Sequence, residues 1–204
     1  MSSLAEYEAG FSQAEKVQWH KDHLDLPIVA VMVYLMMIFT LRPYMKEHDI
    51  KPWFNVMSVK GGRWVWGVWN LLLAIFSCIG ASRCLPKLLS IVADKGFTYS
   101  VCGGYEGYVS ELNTAAADEG APKKWDGSEW YTQGASGMWV WLFIYSKLPE
   151  LVDTAFLVFQ NKPVIFLHWF HHVTVLLYCW HAYHHEVSSG LWFASMNFFV
   201  HSIM

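Results

Sequence analysis

"MWVWLFIYSKLPELVDTAFLVF", Met138–Phe159, is the stretch on which the fold turns. Either side of "KLPELVDT" (Lys147–Thr154) is apolar enough for lipid, yet that insert carries three ionisable groups, Lys147, Glu150 and Asp153. A charged side chain at the centre of a membrane helix costs about 2.5–3.5 kcal/mol on insertion scales, so three together require a compensating arrangement. At about 100° per residue, Lys147, Glu150 and Thr154 share one helical stripe, with Asp153 about 60° from Glu150. They can pair with one another. A buried ion pair that only fixes helix packing would satisfy the same pattern.

Working outward, the 204 residues are 54% hydrophobic and 17% aromatic, more apolar matter than one small soluble core needs. Five apolar blocks stand out, about 26–41, 64–81, 136–160, 164–184 and 189–204. Each approaches the roughly 20 residues of a membrane helix, the first and last being short for it. The expectation is an all-α, multi-pass membrane helical bundle of about five spans, forming a single domain over 1–204. A soluble helical domain with a large core is the bland alternative, and the length of the apolar blocks counts against it. A net charge of -3 excludes the basic footprint of a nucleic-acid partner.

The first 25 residues mix acids, bases and aromatics and lack the basic start and apolar run of a cleaved signal peptide. Cys78, Cys84 and Cys179 lie in apolar blocks and Cys102 in a polar connection, without metal-type spacing. The connection from Arg42 to Arg63 is basic and the long one from Ala93 to Gln133 acidic, so the positive-inside rule puts Lys46 in the cytosol. The N-terminus, the Cys102 connection and His184–Gly190 then lie on the other side, and Gln160–Pro163 is cytosolic. Arg83 and Lys87 fall where a pure charge rule would not put them. "TAAADEGAPKKWDG" (Thr114–Gly127) has the small, polar composition of a flexible insertion.

Two histidine strings follow. In "LHWFHH", His168, His171 and His172 at i, i+3 and i+4 project from one face, whereas a lone apolar-face histidine is usually a hydrogen-bonded core residue. "HAYHH" (His181–His185) repeats the spacing on roughly the opposite side of the helix and at its other end, beside Glu186, where an interfacial, solvated state is the plain reading. Asn197 and His201, at i and i+4, let a third helix present an amide and an imidazole together. Three successive apolar helices each with one polar stripe would enclose a desolvated polar chamber, in which Lys147, Glu150 and Asp153 face histidines and one another.

Two chemistries suit such a chamber. Di-iron desaturases and hydroxylases use clusters of HxxHH type, but the two strings here point apart and lie some 15–20 Å apart along one helix, at about 1.5 Å per residue. Acyl transfer fits the residue types: a neutral imidazole serves as nucleophile or general base, and neighbouring donors stabilise an oxyanion. A non-catalytic lipid-binding bundle is the third reading.

"KLPELVDT", "LHWFHH" and "NFFVHSIM" together resemble the KxxExxDT, HxxHH and HxxMYxYY boxes of the ELO family of fatty acid elongases, the last box being cut short. The likeness extends to "QWHKDH", "LRPYM", "SVCGGYEGY" and "FLHWFHHVTVLLYCW", the last closest to the subgroup extending saturated and monounsaturated chains of about palmitoyl length. The resemblance implies a seven-helix endoplasmic reticulum membrane enzyme. It would condense a long-chain acyl-CoA with malonyl-CoA, releasing CoA and carbon dioxide and giving a 3-oxoacyl-CoA. No metal or other cofactor is implied, and the acyl chain would occupy a hydrophobic tunnel with its CoA head at the cytosolic mouth.

By motif position the resemblance makes His171 the nucleophile and His201 its partner on the malonyl unit. Asn197, His168 or Lys147 would hydrogen-bond developing charge, His172 completes the box, and Glu150 and Asp153 would orient the bases. Cys179, on the same stripe as the first histidine string, is the rival nucleophile. Expected partners are the bilayer, the two CoA thioesters and the reductase and dehydratase of the cycle; a homo-oligomer is compatible with it. The unfinished third box, two absent helices and the absent lysine-rich tail read as a truncated chain, expected to be inactive as it stands, with any disulfide partner of Cys102 beyond it.

Overall fold

The computed structural model describes residues 3–11, 14–50, 60–101, 134–160, 162–185 and 187–203, and every regular element among them is helical. Cys102 and the Thr114–Gly127 insertion lie outside the described residues. Two short helices, α1 (Leu4–Ala9) and α2 (Ala14–Asp22), precede α3 (Asp25–Met36). A π-helical turn, Met37–Leu41, joins α3 to α4 (Arg42–Glu47). Then come α5 (Lys60–Lys95), α6 (Gly134–Phe159), α7 (Phe166–His184) and α8 (Gly190–Ile203).

All five apolar blocks are helices, but two run further than hydropathy alone predicts. The first continues beyond Leu41 to Glu47, through the π turn. Pro43 lacks an N–H and its ring crowds the carbonyl four residues back, and a locally widened helix absorbs that conflict without breaking. The second runs to Lys95 instead of ending near 81, passing through Pro86. It stops at Gly96, whose φ of +87 is a left-handed conformation suited to glycine, with its N–H bonded to the Val92 carbonyl at 3.0 Å.

Asp25–Glu47 and Trp64–Lys95 are long and apolar enough to cross a membrane. Their outer faces expose Ile28, Val29, Met32 and Met36 on α3, and Trp64, Val68, Leu71 and Leu72 on α5. A belt of that kind matches a hydrocarbon solvent and would be a liability in water. The protein is an all-α membrane helical protein.

α5 packs most extensively on α8, and this seam is where a glycine is needed for space. A Cβ on Gly80 would lie 2.5 Å from the ring of Phe198, which is itself 1% exposed. The main core, including Cys84, Leu88, Trp139, Phe143, Trp180 and Phe198, joins α5, α6, α7 and α8. A smaller one, Tyr34, Ile38 and Val158, joins the α3 segment to α6.

The ends of the helices sort as the charge bias groups them. At one end Arg42 Nε donates to the Lys162 carbonyl at 3.0 Å. At the other, Ser188 Oγ donates to the Val101 carbonyl at 2.8 Å, and Trp180 Nε1 to the His20 carbonyl at 3.3 Å. Arg83, anomalous by charge counting, lies against buried Glu8 of α1, Nε to Oε1 at 3.0 Å, and Trp139 Nε1 donates to the same oxygen at 2.8 Å. Its position is explained by that partner: the N-terminal acid neutralises it.

Candidate active site

Lys147, Glu150 and Thr154 come off the inner face of α6 and are 3%, 9% and 0% exposed. Lys147 Nζ donates to Glu150 Oε1 at 2.6 Å and to Asn197 Oδ1 of α8 at 3.0 Å, and lies 4.2 Å from the centroid of the Phe143 ring. Ser146 Oγ lies 3.1 Å from the same carboxylate oxygen and 2.7 Å from the Phe143 carbonyl. The ammonium is therefore surrounded by a carboxylate, an amide oxygen and a ring face. Such dense pairing is what permits a charge pair in a low-dielectric interior. Pro149 lies between the pair; without an N–H it leaves the helix short of one i→i−4 bond at that turn.

Asp153 accepts from Trp69 Nε1 of α5 at 2.7 Å, not from a histidine. Among the described residues the bond to an imidazole comes from Thr154 instead. Its Oγ1 lies 2.8 Å from His168 Nε2 and 2.8 Å from the Tyr34 hydroxyl, so a hydroxyl chain runs from α3 through α6 to α7.

The remaining histidines gather around these anchors. The His168 and His172 rings are 4.7 Å apart and those of His171 and His172 5.8 Å, with Tyr34 edge-on to His172 at 6.3 Å. His172 lies within electrostatic reach of Glu150 and Lys147, and His201 within reach of Glu150, Lys147 and His171. His171 is exposed; His168, His172 and His201 are half-buried. With Glu150, Asp153, Asn70 and Ser77, His201 lines a cavity of about 350 Å³ between α5, α6 and α8. All nine candidate residues thus lie on three adjoining helices around one polar centre. An ion pair and imidazoles so grouped are residue types that can act as donors, base and nucleophile.

Cys179 is 4% exposed and lines a narrow apolar gap with Val140, Phe143, Ile144 and Tyr178, surroundings that favour an inert thiol. His181, His184 and His185 lie at the far end of α7, beside α2, so the two strings a di-iron centre would need are not brought together. Sequence reading overlooked Tyr34, Trp69 and Ser146. Tyr34 left a signal, a phenol in the middle of the otherwise apolar "IVAVMVYLMMIF". Trp69 left none, because its role depends on which helix neighbours α6.

A helical membrane protein with histidines, an ammonium and a carboxylate converging inside it is the class that fold and site define. Within that class the chain belongs to the ELO family: residues 19–204 match the model described as the GNS1/SUR4 family. It is 40% identical to "Fatty acid elongase 3" of Trypanosoma cruzi, over 100% of this chain and 65% of the relative. It is 39% identical to "Fatty acid elongase 3" of Trypanosoma brucei brucei, over 97% and 63%. Against "Very long chain fatty acid elongase 6" of Drosophila melanogaster the identity is 33%, over 100% and 54%. The chain therefore spans between about half and two thirds of the length of these relatives. No solved structure matches it.

Proposed function

We propose that this chain carries the catalytic centre of a fatty acid elongase, an acyltransferase that condenses a long-chain acyl-CoA with malonyl-CoA. The observation that carries the reading is the Lys147–Glu150–Asn197 network, which ties α6 to α8 beside imidazoles from α7 and α8. Its family membership and the elongase names of its relatives support the same reading.

In this mechanism a ring nitrogen of His171 attacks the acyl thioester carbonyl, the C–S bond breaks, and the leaving CoA thiolate takes up the proton given up by the other ring nitrogen. The exposure of His171 leaves room for the bulky CoA head. Malonyl-CoA then loses carbon dioxide, and the electron pair of the broken C–C bond becomes an enolate next to His201. That carbon attacks the acyl-imidazole, the new C–C bond forms as the acyl–nitrogen bond breaks, and the departing ring takes up a proton to return His171 as a neutral imidazole. The Asn197 amide N–H groups, whose oxygen is already engaged by Lys147, are donors for the developing oxyanion. The Tyr34–Thr154–His168 chain fixes the first ring of the box.

The reading includes a multi-pass protein of the endoplasmic reticulum membrane, with Arg42 and Lys162 at the cytosolic end and the acyl chain directed into the bundle. It draws on saturated or monounsaturated substrates and hands its product to a reductase and then a dehydratase. No metal takes part.

Incubation with a long-chain acyl-CoA without malonyl-CoA, followed by peptide mass spectrometry, tests it. Acylation of the peptide containing His171, discharged on adding malonyl-CoA, is expected. Acylation at Cys179 or any other residue would overturn the assignment.

A further inference from the structure

The last turn of α7 carries three histidines with no part in the proposed reaction. His181, His184 and His185 belong to one helical face and its cap, and one ring nitrogen from each can be chosen so that all three lie within 4.8 Å of one another. Ring centroids are 3.9 Å apart for His184 and His185, 4.3 Å for His181 and His185, and 5.5 Å for His181 and His184. Around an ion with metal–nitrogen distances of about 2.0–2.1 Å, ligand nitrogens stand about 3–3.5 Å apart, so small side-chain rotations on a surface turn close the set.

Two further observations point to a cation. His184 Nδ1 lies 3.2 Å from the Trp180 carbonyl, a contact in which Nδ1–H donates and Nε2 is the lone-pair nitrogen, as in ligating histidines. The site also sits at a helix C-terminus, the negative end of the helix dipole, which favours positive charge. The helix behind it is held in place by α2: the buried His20 ring packs, tilted, 4.6 Å from both Trp180 and Tyr183. The turn is therefore an anchored platform and not a frayed end.

We propose that His181, His184 and His185 form a binding site for a borderline divalent transition-metal ion, of the Zn2+ class. Three imidazoles select against Mg2+ and Ca2+ and favour zinc-like ions. Thirteen residues, about 20 Å of helix, separate His168 from His181, so the ion would be structural or regulatory at the opposite face of the bundle and would not touch the acyl chemistry.

The test uses the full chain purified in detergent without a polyhistidine tag, stripped with EDTA and titrated with Zn2+ against a chromogenic chelator. One Zn2+ per chain is expected, with affinity falling at least about tenfold in His181→Gln and in His185→Gln. Both residues are exposed, so neither substitution threatens the fold. Zn2+ should also raise the thermal unfolding midpoint of the parent and not that of His181→Gln/His185→Gln. A triple His168→Gln/His171→Gln/His172→Gln variant should bind as the parent does. Stoichiometry well below one, undiminished binding by His181→Gln/His185→Gln, or loss of binding in the triple variant alone would each overturn the proposal.

Discussion

Lys147 is held by contacts that only a folded bundle provides: Glu150 lies one turn away, but Asn197 comes from another helix and Phe143 from the turn below. Removing one member of a buried pair strands the other charge, at a cost of about 3–5 kcal/mol. Lys147→Met should therefore lower the unfolding midpoint sharply. Lys147→Met/Glu150→Leu should recover most of that stability while chain extension stays absent, a combination that separates the pair's structural role from its chemical one. Thr154 offers a finer probe, since its hydroxyl bridges Tyr34 and His168. A hydrogen bond of about 0.5–1.5 kcal/mol corresponds to at most about tenfold in rate. Thr154→Val should lower kcat by about that factor with KM little changed, and Thr154→Ser should restore it. A rise in KM alone, measured on acyl-CoA, would contradict the positioning role.

At the scale of elements, the periodicity of "KLPELVDT" correctly puts Lys147, Glu150 and Thr154 on one buried face, because a helix has only one way to space residues i, i+3 and i+7. The helix ends were less legible. Hydropathy falls at Arg42 and after Ala81, yet both helices continue, one through a π turn ahead of Pro43 and the other as far as the left-handed Gly96. Polar residues do not stop a helix when backbone hydrogen bonds and packing carry it on. The α5–α8 seam depends on Gly80, where an added methyl group would meet the Phe198 ring at 2.5 Å. Overpacking of this kind costs about 1–3 kcal/mol. Gly80→Ala should lower the unfolding midpoint, and adding Phe198→Leu should return part of the loss; additive losses would show that the two sites do not meet.

At the scale of the whole molecule, α1 and α2 are fastened across the bundle end by two titratable groups. Glu8 is held below the usual carboxylate range, chiefly by the Trp139 hydrogen bond, with burial opposing and the Arg83 hydrogen bond and charge assisting. Burial holds His20 below the usual imidazole range. In both cases the unfolded chain binds protons more readily, so the stabilisation is complete above the unfolded values of 6.5 and 4.5 and is lost on acidification. The unfolding midpoint should fall in two stages, first below about pH 6.5 through His20 and then below about pH 4.5 through Glu8. Glu8→Gln should remove the second stage and His20→Phe the first; a midpoint flat from pH 7 to 4 would contradict both attachments. The amino-acid order by itself determined the class of fold, the five apolar helices, the common face of Lys147, Glu150 and Thr154, and the three boxes of the ELO family. These follow from composition and from the fixed geometry of one helix. Which helix stands beside which was decided only by tertiary packing: Asn197 against Lys147, Trp69 on Asp153, Tyr34 with Thr154, and Glu8 beneath Arg83. No period within a helix encodes those meetings, because they depend on how apolar faces from distant parts of the chain fill shared volume.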